Sequence, residues 1–230
     1  MTDIKENYKK ILDQMHRALD RAGRPRDAAI LIAVSKRKTA REMMDCIDAG
    51  GSHFGENYIQ EAMEKIDEIG RDRACWHFIG HLQSNKAKFA VPYFDYIHTV
   101  DSVKLAKEIN KQAKKIAKVQ KVFMQVNIGE ESTKSGTALD GAVALAGDIL
   151  AFENISVEGL MCMPPYFSDA EQARPYFQQL VAIRDDILAK YGDKLSLPQL
   201  SMGMSNDFKV ALEEGATMVR VGTSIFGSRL

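Results

Sequence analysis

Apolar positions along the chain switch repeatedly between two rhythms. Ile4, Tyr8, Ile11, Leu12, Met15 and Leu19 recur at helical spacing, one face of an amphipathic helix that Gly23 and Pro25 bring to an end. The next run, Ala28-Ala29-Ile30-Leu31-Ile32-Ala33-Val34, is continuous, as in a strand covered on both faces within a parallel sheet. Thr39 and Glu42 then stand at capping-box spacing and open a helix through Met43, Met44 and Ile47, which Gly50 and Gly51 stop.

This strand-then-helix alternation continues to the end. Strands are expected around His53-Phe54, Trp76–Ile79, Tyr96–Thr99, Val122–Val126, Ser156–Leu160, Pro198–Ser201 and Met218–Val221, with helical stretches between them. One of those helices opens at Ser168, with Glu171 in capping register, and starts afresh at Pro175. With the first strand this makes eight β-α units and no linker, the number that a closed (β/α)₈ barrel requires. The expected fold is therefore α/β: a single TIM barrel over residues 1–230, with an extra N-terminal helix and no second β domain.

Composition narrows the partners. Acidic and basic side chains balance at 31 each, so no net field draws the protein to nucleic acid or to an anionic membrane. There is no long uncharged apolar run, and the charged start Met1-Thr2-Asp3-Ile4-Lys5-Glu6 does not resemble a signal peptide. Cys46, Cys75 and Cys162 are far apart and form no CxxC pair, which suits small buried thiols in a reducing cytoplasm.

Barrels carry their chemistry at the C-terminal ends of the strands. That rule selects Lys36, Glu56-Asn57, Gly80-His81, Asn127, Ser201 and the group Arg220, Gly222 and Thr223. Lys36 either emerges into solvent or serves as a nucleophilic amine. Partial burial and the cations Arg37 and Lys38 would disfavour its ammonium and let it condense with an aldehyde. Gly222 allows close backbone approach, while Thr223 and Ser201 offer hydroxyls, as in the phosphate sites that barrels build after strands seven and eight. The competing reading is a pair of tight turns. Arg220 is either an ion-pair partner or a permanent donor aimed into the barrel mouth.

Two other features carry less. His77 and His81 flank a strand-to-loop transition and have no zinc-spaced carboxylate or cysteine beside them, so no metal site is expected there. The lysine-rich stretch Lys104–Lys118 reads as a solvated helix face over an apolar stripe of Leu105, Ile109, Ala113 and Ile116, with docking of an acidic partner or nucleic acid as the weaker alternative.

Several motifs together resemble the pyridoxal phosphate homeostasis proteins. They are Ala33-Val34-Ser35-Lys36, Phe54-Gly55-Glu56-Asn57-Tyr58, the run from His77 through His81 to Lys86, Lys134-Ser135-Gly136, Ala173-Arg174-Pro175-Tyr176-Phe177 and the stretch from Leu200 to Gly227. The resemblance spans essentially the whole chain in order. It implies a barrel like the first domain of alanine racemase that holds pyridoxal 5'-phosphate. Lys36 would be the Schiff-base lysine, Ser201, Gly222 and Thr223 the phosphate positions, Arg220 the arginine facing the pyridine nitrogen, and Asn57 part of the pocket lining. An always-charged arginine there would keep the ring nitrogen unprotonated and the ring a poor electron sink. That favours a protein which stores the cofactor and passes it to the apo-forms of dependent enzymes, without turnover of its own.

The alternative is an amino-acid racemase or decarboxylase. Such enzymes carry a β-rich second domain that supplies an acid/base group across a dimer interface. The sequence stops at Leu230, directly after Phe226-Gly227, so a monomer without that group is expected; Tyr58 is the candidate substitute. A cofactor-free barrel enzyme for sugar phosphates would explain the phosphate cup but leave Lys36 and Arg220 without a purpose.

Overall fold

The computed structural model describes residues 3–131 and 135–227, so Met1, Thr2, Lys134 of the Lys134-Ser135-Gly136 motif, and Leu230 lie outside the described residues. Helix α1 (Ile4–Arg21) leads into β1 (Ile30–Val34), α2 (Ala40–Asp48), β2 (His53–Glu56), α3 (Ile59–Ile69), β3 (Cys75–Phe78), α4 (Ala87–Tyr93) and β4 (Tyr96–Val100). Then come α5 (Val103–Lys115), β5 (Gln120–Val126), α6 (Ala142–Ile149), β6 (Ile155–Cys162), α7 (Arg174–Tyr191), β7 (Gln199–Met204), α8 (Phe208–Glu213), β8 (Met218–Val221) and the short α9 (Thr223–Phe226). The eight strands form one closed parallel barrel in sequence order, sealed where Ile32 of β1 pairs with Arg220 of β8. The structure is a (β/α)₈ barrel, as the alternation of runs implies.

Side chains alternate across each strand, so the core has two layers. Phe54, Trp76, Phe78, Ile97, Val122 and Leu160 belong to the larger cluster, where the barrel wall meets the helices. Ile32, Phe123, Met161 and Met218 form a separate buried cluster inside the barrel. Each fully buried large side chain contributes about 1.5–3 kcal/mol, so the outer layer, with many more of them, supplies most of the stability.

Helix α1 has a structural task. Among the described residues β8 is followed only by the four-residue α9, which leaves the barrel wall between α8 and α2 short of cover. The apolar face of α1, with Tyr8, Ile11, Met15, Ala18 and Leu19 buried, packs against α8, α9 and α2 and fills that place. The Asp3 carboxylate accepts from the Glu6 N–H to cap the helix, and Asn7 donates to the Ile225 carbonyl to tie it to α9.

Three local expectations are corrected. Ser168 does not cap a helix: Asp169 does, its carboxylate accepting from the Glu171 N–H over a 3₁₀ turn, after which α7 begins at Arg174 with Pro175 in its first turn. Ile116 is not part of the stripe of α5, because the helix ends at Lys115 and the left-handed Ala117 (φ 51°) turns the chain away, leaving Ile116 49% exposed. β7 runs on to Met204 rather than stopping at Ser201, which changes the site described next. No described helix is long and apolar enough to cross a membrane.

Candidate functional site

The end of β1 is held by a buried polar cluster. Ser35 Oγ donates to Glu56 Oε1 at 2.6 Å, and Lys65 Nζ lies 2.6 Å from the same oxygen and donates to the Ser35 carbonyl at 2.9 Å. The Ser35 N–H pairs with Gly55 of β2, and the Lys38 N–H returns to the Ser35 carbonyl. The left-handed Arg37 (φ 59°) bends the chain, and its N–H donates to Glu61. Lys36, between these fixed points, is directed to the C-terminal mouth of the barrel. Burial pushes the Glu56 carboxyl above its usual range, with Lys65 and Ser35 opposing that shift.

A cavity of roughly 200 Å³ opens at this mouth, lined by Val34, Lys36, Asn57, Ile79, Met163, Met204, Ser205, Arg220, Gly222 and Thr223. Five of the six residues that the resemblance assigns to the cofactor are therefore brought together: Lys36, Asn57, Arg220, Gly222 and Thr223. The sixth, Ser201, does not line the cavity. Because β7 continues past it, Ser201 lies mid-strand and fully buried inside the barrel. The hydroxyl that reaches the cavity from this strand's end is Ser205, which the sequence does not single out. Left-handed Gly203 (φ 91°) makes the bend, and a Cβ there would fall 2.5 Å from Ala211 Cβ. Ser205 was legible only as the first residue beyond a strand three residues longer than its apolar run.

Ser201 has another role. Its Oγ accepts from Arg220 Nη1 at 2.6 Å, while Arg220 Nη2 donates to the Cys162 carbonyl at 2.8 Å. Ser201 Oγ also lies 2.9 Å from His98 Nδ1, His98 Nε2 lies 2.9 Å from His77 Nδ1, and His77 Nε2 lies 2.9 Å from His53 Nδ1. Burial pushes His77 down to about 3 and His98 well below the usual imidazole range, so both rings are neutral. This row crosses the barrel interior; the Arg220 charge, itself disfavoured by burial, has no carboxylate in ion-pair contact among the described residues and is favoured only at longer range by Asp207. Arg220 also lines the cavity.

The opposite wall depends on close backbone approach. A Cβ on Gly80 would lie 2.3 Å from the Asn57 carbonyl oxygen, so only glycine lets the β2 and β3 ends meet and set Asn57 at the mouth. Asn57 Oδ1 is buried without a hydrogen-bond partner among the described residues. Across the cavity, Gly222 packs where a Cβ would come 3.2 Å from the Val34 carbonyl oxygen, with the Thr223 hydroxyl beside it. His81 is exposed and does not join this site; its Nδ1 lies 2.9 Å from Ser135 Oγ, bringing those two motifs together at the rim. Tyr58 is 46% exposed under the Arg37 guanidinium and does not line the cavity either. A larger hollow, about 670 Å³, runs along α5, lined by five of its lysines with Glu108 and Asn110 and by none of the residues of this cavity.

Lys36, the buried Arg220 and a hydroxyl-and-glycine wall meet at one barrel mouth, and the family model described as "Alanine racemase, N-terminal domain", which defines the class, matches residues 4–230. The chain is 41% identical over 224 residues to the pyridoxal phosphate homeostasis protein of Aquifex aeolicus, covering 97% of each. It is 38% identical over 235 residues to that of Escherichia coli, covering 100% of this chain and 98% of the relative. The chain belongs to the family of pyridoxal phosphate homeostasis proteins. The structure of PipY from Synechococcus elongatus with pyridoxal phosphate bound is similar as well, with a TM-score of 0.85, 34% identity and coverage of 97% of this chain and 100% of that one.

Proposed function

We propose that the protein binds pyridoxal 5'-phosphate at the C-terminal mouth and holds it for supply to other proteins. Lys36 would carry the cofactor as a reversible Schiff base. The hydroxyls of Thr223 and Ser205 and the backbone at Gly222 would take the phosphate, Arg220 would face the pyridine nitrogen, and Asn57 Oδ1 would gain a partner from the ring substituents. The observation that carries this reading is the meeting of Lys36, Arg220 and the Ser205–Gly222–Thr223 wall around one small cavity. Asn57 Oδ1, without a hydrogen-bond partner among the described residues, fits a bound polar molecule. When bound, the cofactor supplies an electrophilic carbonyl and an aromatic electron sink.

The lining also supports holding rather than turnover. Lys36 and Arg220 are the only ionisable side chains among the described residues of the cavity, and Arg220 cannot surrender a proton. An amino-acid racemase or decarboxylase needs a second acid/base group facing Lys36, and Tyr58 lies outside the cavity. Delivery to apo-enzymes, a monomeric state and a cytoplasmic location belong to the same reading; the free thiols of Cys46, Cys75 and Cys162 suit a reducing compartment.

The test is absorption of the purified protein with added pyridoxal phosphate, before and after borohydride, beside Lys36→Ala. A yellow species that becomes fixed on reduction, and is lost in the variant, supports the lysine assignment. A colourless, unlabelled wild type overturns it and returns the site to a sugar phosphate. Amino-acid turnover by the yellow sample would move the protein to the racemase class.

A further inference from the structure

The N-terminal mouth of the barrel, opposite the cavity, holds an unusual set of donors. Cys75 and His77 are two residues apart on β3 and share its inward face, and His53 of β2 pairs in register with Cys75. One ligand atom from each of the three lies within 4.8 Å of the others. His53 and Cys75 are half-buried at the rim, open to an ion from solvent, whereas His77 is buried and forms the floor. A barrel normally fills such a layer with apolar side chains.

We infer that His53, Cys75 and His77 form a zinc site. One thiol with two imidazoles suits zinc rather than calcium or magnesium, which prefer oxygen ligands. His77 Nδ1 is engaged by His98 Nε2 at 2.9 Å, the outer-shell bond that orients a ligating imidazole and leaves Nε2 for the metal. His53 Nδ1 and His77 Nε2 now share one proton at 2.9 Å. With zinc–nitrogen bonds of about 2.0–2.1 Å in tetrahedral geometry the two nitrogens must part by roughly 0.4 Å, which small ring rotations supply.

With zinc bound, each of the three imidazoles keeps one proton: His53 on Nε2, His77 on Nδ1 donating to His98 Nε2, and His98 on Nδ1 facing Ser201 Oγ, so the imidazoles release nothing. The Cys75 thiol forms the zinc–sulfur bond and gives its proton to solvent, and water completes the fourth position. The Asp95 carboxylate accepts from the Trp76 N–H at 2.7 Å, is paired with Arg71 at 2.6 Å and joins burial in holding the Cys75 thiol in its protonated form, so the metal must displace that proton. Arg71, and Lys121 over the Tyr96 ring at 5.1 Å, repel a bare cation but favour the Cys75 thiolate that binds it.

The experiment titrates chelator-treated protein with Co²⁺ and then Zn²⁺. Difference spectra read the thiolate-to-cobalt charge-transfer band and the visible tetrahedral bands, and elemental analysis gives the stoichiometry. One ion per chain is expected, with the charge-transfer band lost in Cys75→Ser and retained in Cys162→Ser. His53→Asn, a change at the rim, keeps the band but weakens zinc binding by at least about 10-fold. Circular dichroism checks folding; if Cys75→Ser does not fold, His53→Asn decides. A wild type without stoichiometric zinc, a band that survives Cys75→Ser, or unchanged zinc affinity in His53→Asn overturns the assignment. None of these readouts depends on pyridoxal phosphate.

Discussion

Replacing Lys65 with methionine keeps the stem that packs under β1 and β2 but removes the ammonium that faces Glu56. In the wild type, Lys65 Nζ contacts Glu56 Oε1 at 2.6 Å, Glu61 Oε1 at 2.8 Å and the Ser35 carbonyl at 2.9 Å, with the Lys65 and Glu56 side chains 7% and 0% exposed. Glu56 Oε2 already lacks a partner, so without Lys65 the carboxylate retains only the Ser35 hydroxyl. Breaking a buried pair from one side costs about 3–5 kcal/mol, a large part of a typical total stability of about 5–15 kcal/mol. The sign with pH follows from Glu56. Its folded pKa is raised, so the folded state holds the proton more tightly, and stability falls as pH rises above the usual 4.5 until the folded carboxyl has ionised. Loss of Lys65 raises that carboxyl further and extends the fall to higher pH. Urea unfolding should therefore show a smaller deficit at about pH 5 than at about pH 8, where it reaches the full cost. Glu56→Gln in the same background should recover at least about 1 kcal/mol at the higher pH by removing the stranded charge. Equal deficits at both pH values, with no recovery in the double variant, would refute the electrostatic account and reduce Lys65 to packing.

Ser201→Ala leaves Arg220 Nη1 and His98 Nδ1 unpaired in the dry interior and should cost about 1–3 kcal/mol by denaturant unfolding, whereas Ser205→Ala should spare stability and weaken pyridoxal phosphate in a binding titration. Gly80→Ala drives a Cβ into the Asn57 backbone, which cannot yield cheaply; a loss of about 1–3 kcal/mol in thermal or urea unfolding is expected. Lys118 donates to the Val91 and Phe94 carbonyls at the end of α4, and burial lowers its pKa to about 8. Between that value and the ordinary 10.5 the unfolded chain binds more protons, so stability relative to Lys118→Met should rise with pH across this window, as unfolding curves at several pH values would show.

The barrel was legible because its strands are continuous apolar runs and its helices open with recognisable caps. Thr39 and Glu42 do form a reciprocal capping box. Errors arise where local chemistry has near-equal options: Asp169 takes the cap from Ser168, being the stronger acceptor one residue on. At the site, residues directly beyond a strand were found when the strand ended with its apolar run, as at Lys36 and Asn57. Ser201 was misplaced because β7 continues through the small and flexible Gly203, where apolar pattern gives no stop. The Glu56–Lys65 pair and the His53–Cys75–His77 group were not legible. Both depend on which residues of neighbouring strands and helices stand in register, a property that one strand's own spacing does not carry.

The placement of Arg220 bears on why a protein would build this site for holding a cofactor. Burying a guanidinium costs several kcal/mol unless its charge is answered, and here the groups behind it are a serine hydroxyl, a carbonyl and neutral imidazoles. A stability-driven design would have placed a carboxylate in that row. Without a carboxylate in contact among the described residues, the charge is answered from within the fold only at longer range, by Asp207, and Arg220 lines the cavity. On the proposed reading, the ligand provides the answer: a ring nitrogen that accepts from an arginine, with a phosphate dianion nearby. The arrangement that makes the free protein electrostatically incomplete also gives affinity, because binding relieves a cost already present in the fold. It gives no corresponding help to a carbanion, since a nitrogen that only accepts from arginine cannot gain the proton that would draw electrons into the ring. The groups of the row nearest Arg220, Ser201 and His98, therefore matter chiefly by staying neutral. A carboxylate introduced at His98 would satisfy Arg220 internally, and on this account it should stabilise the free protein's arginine while weakening its grip on pyridoxal phosphate.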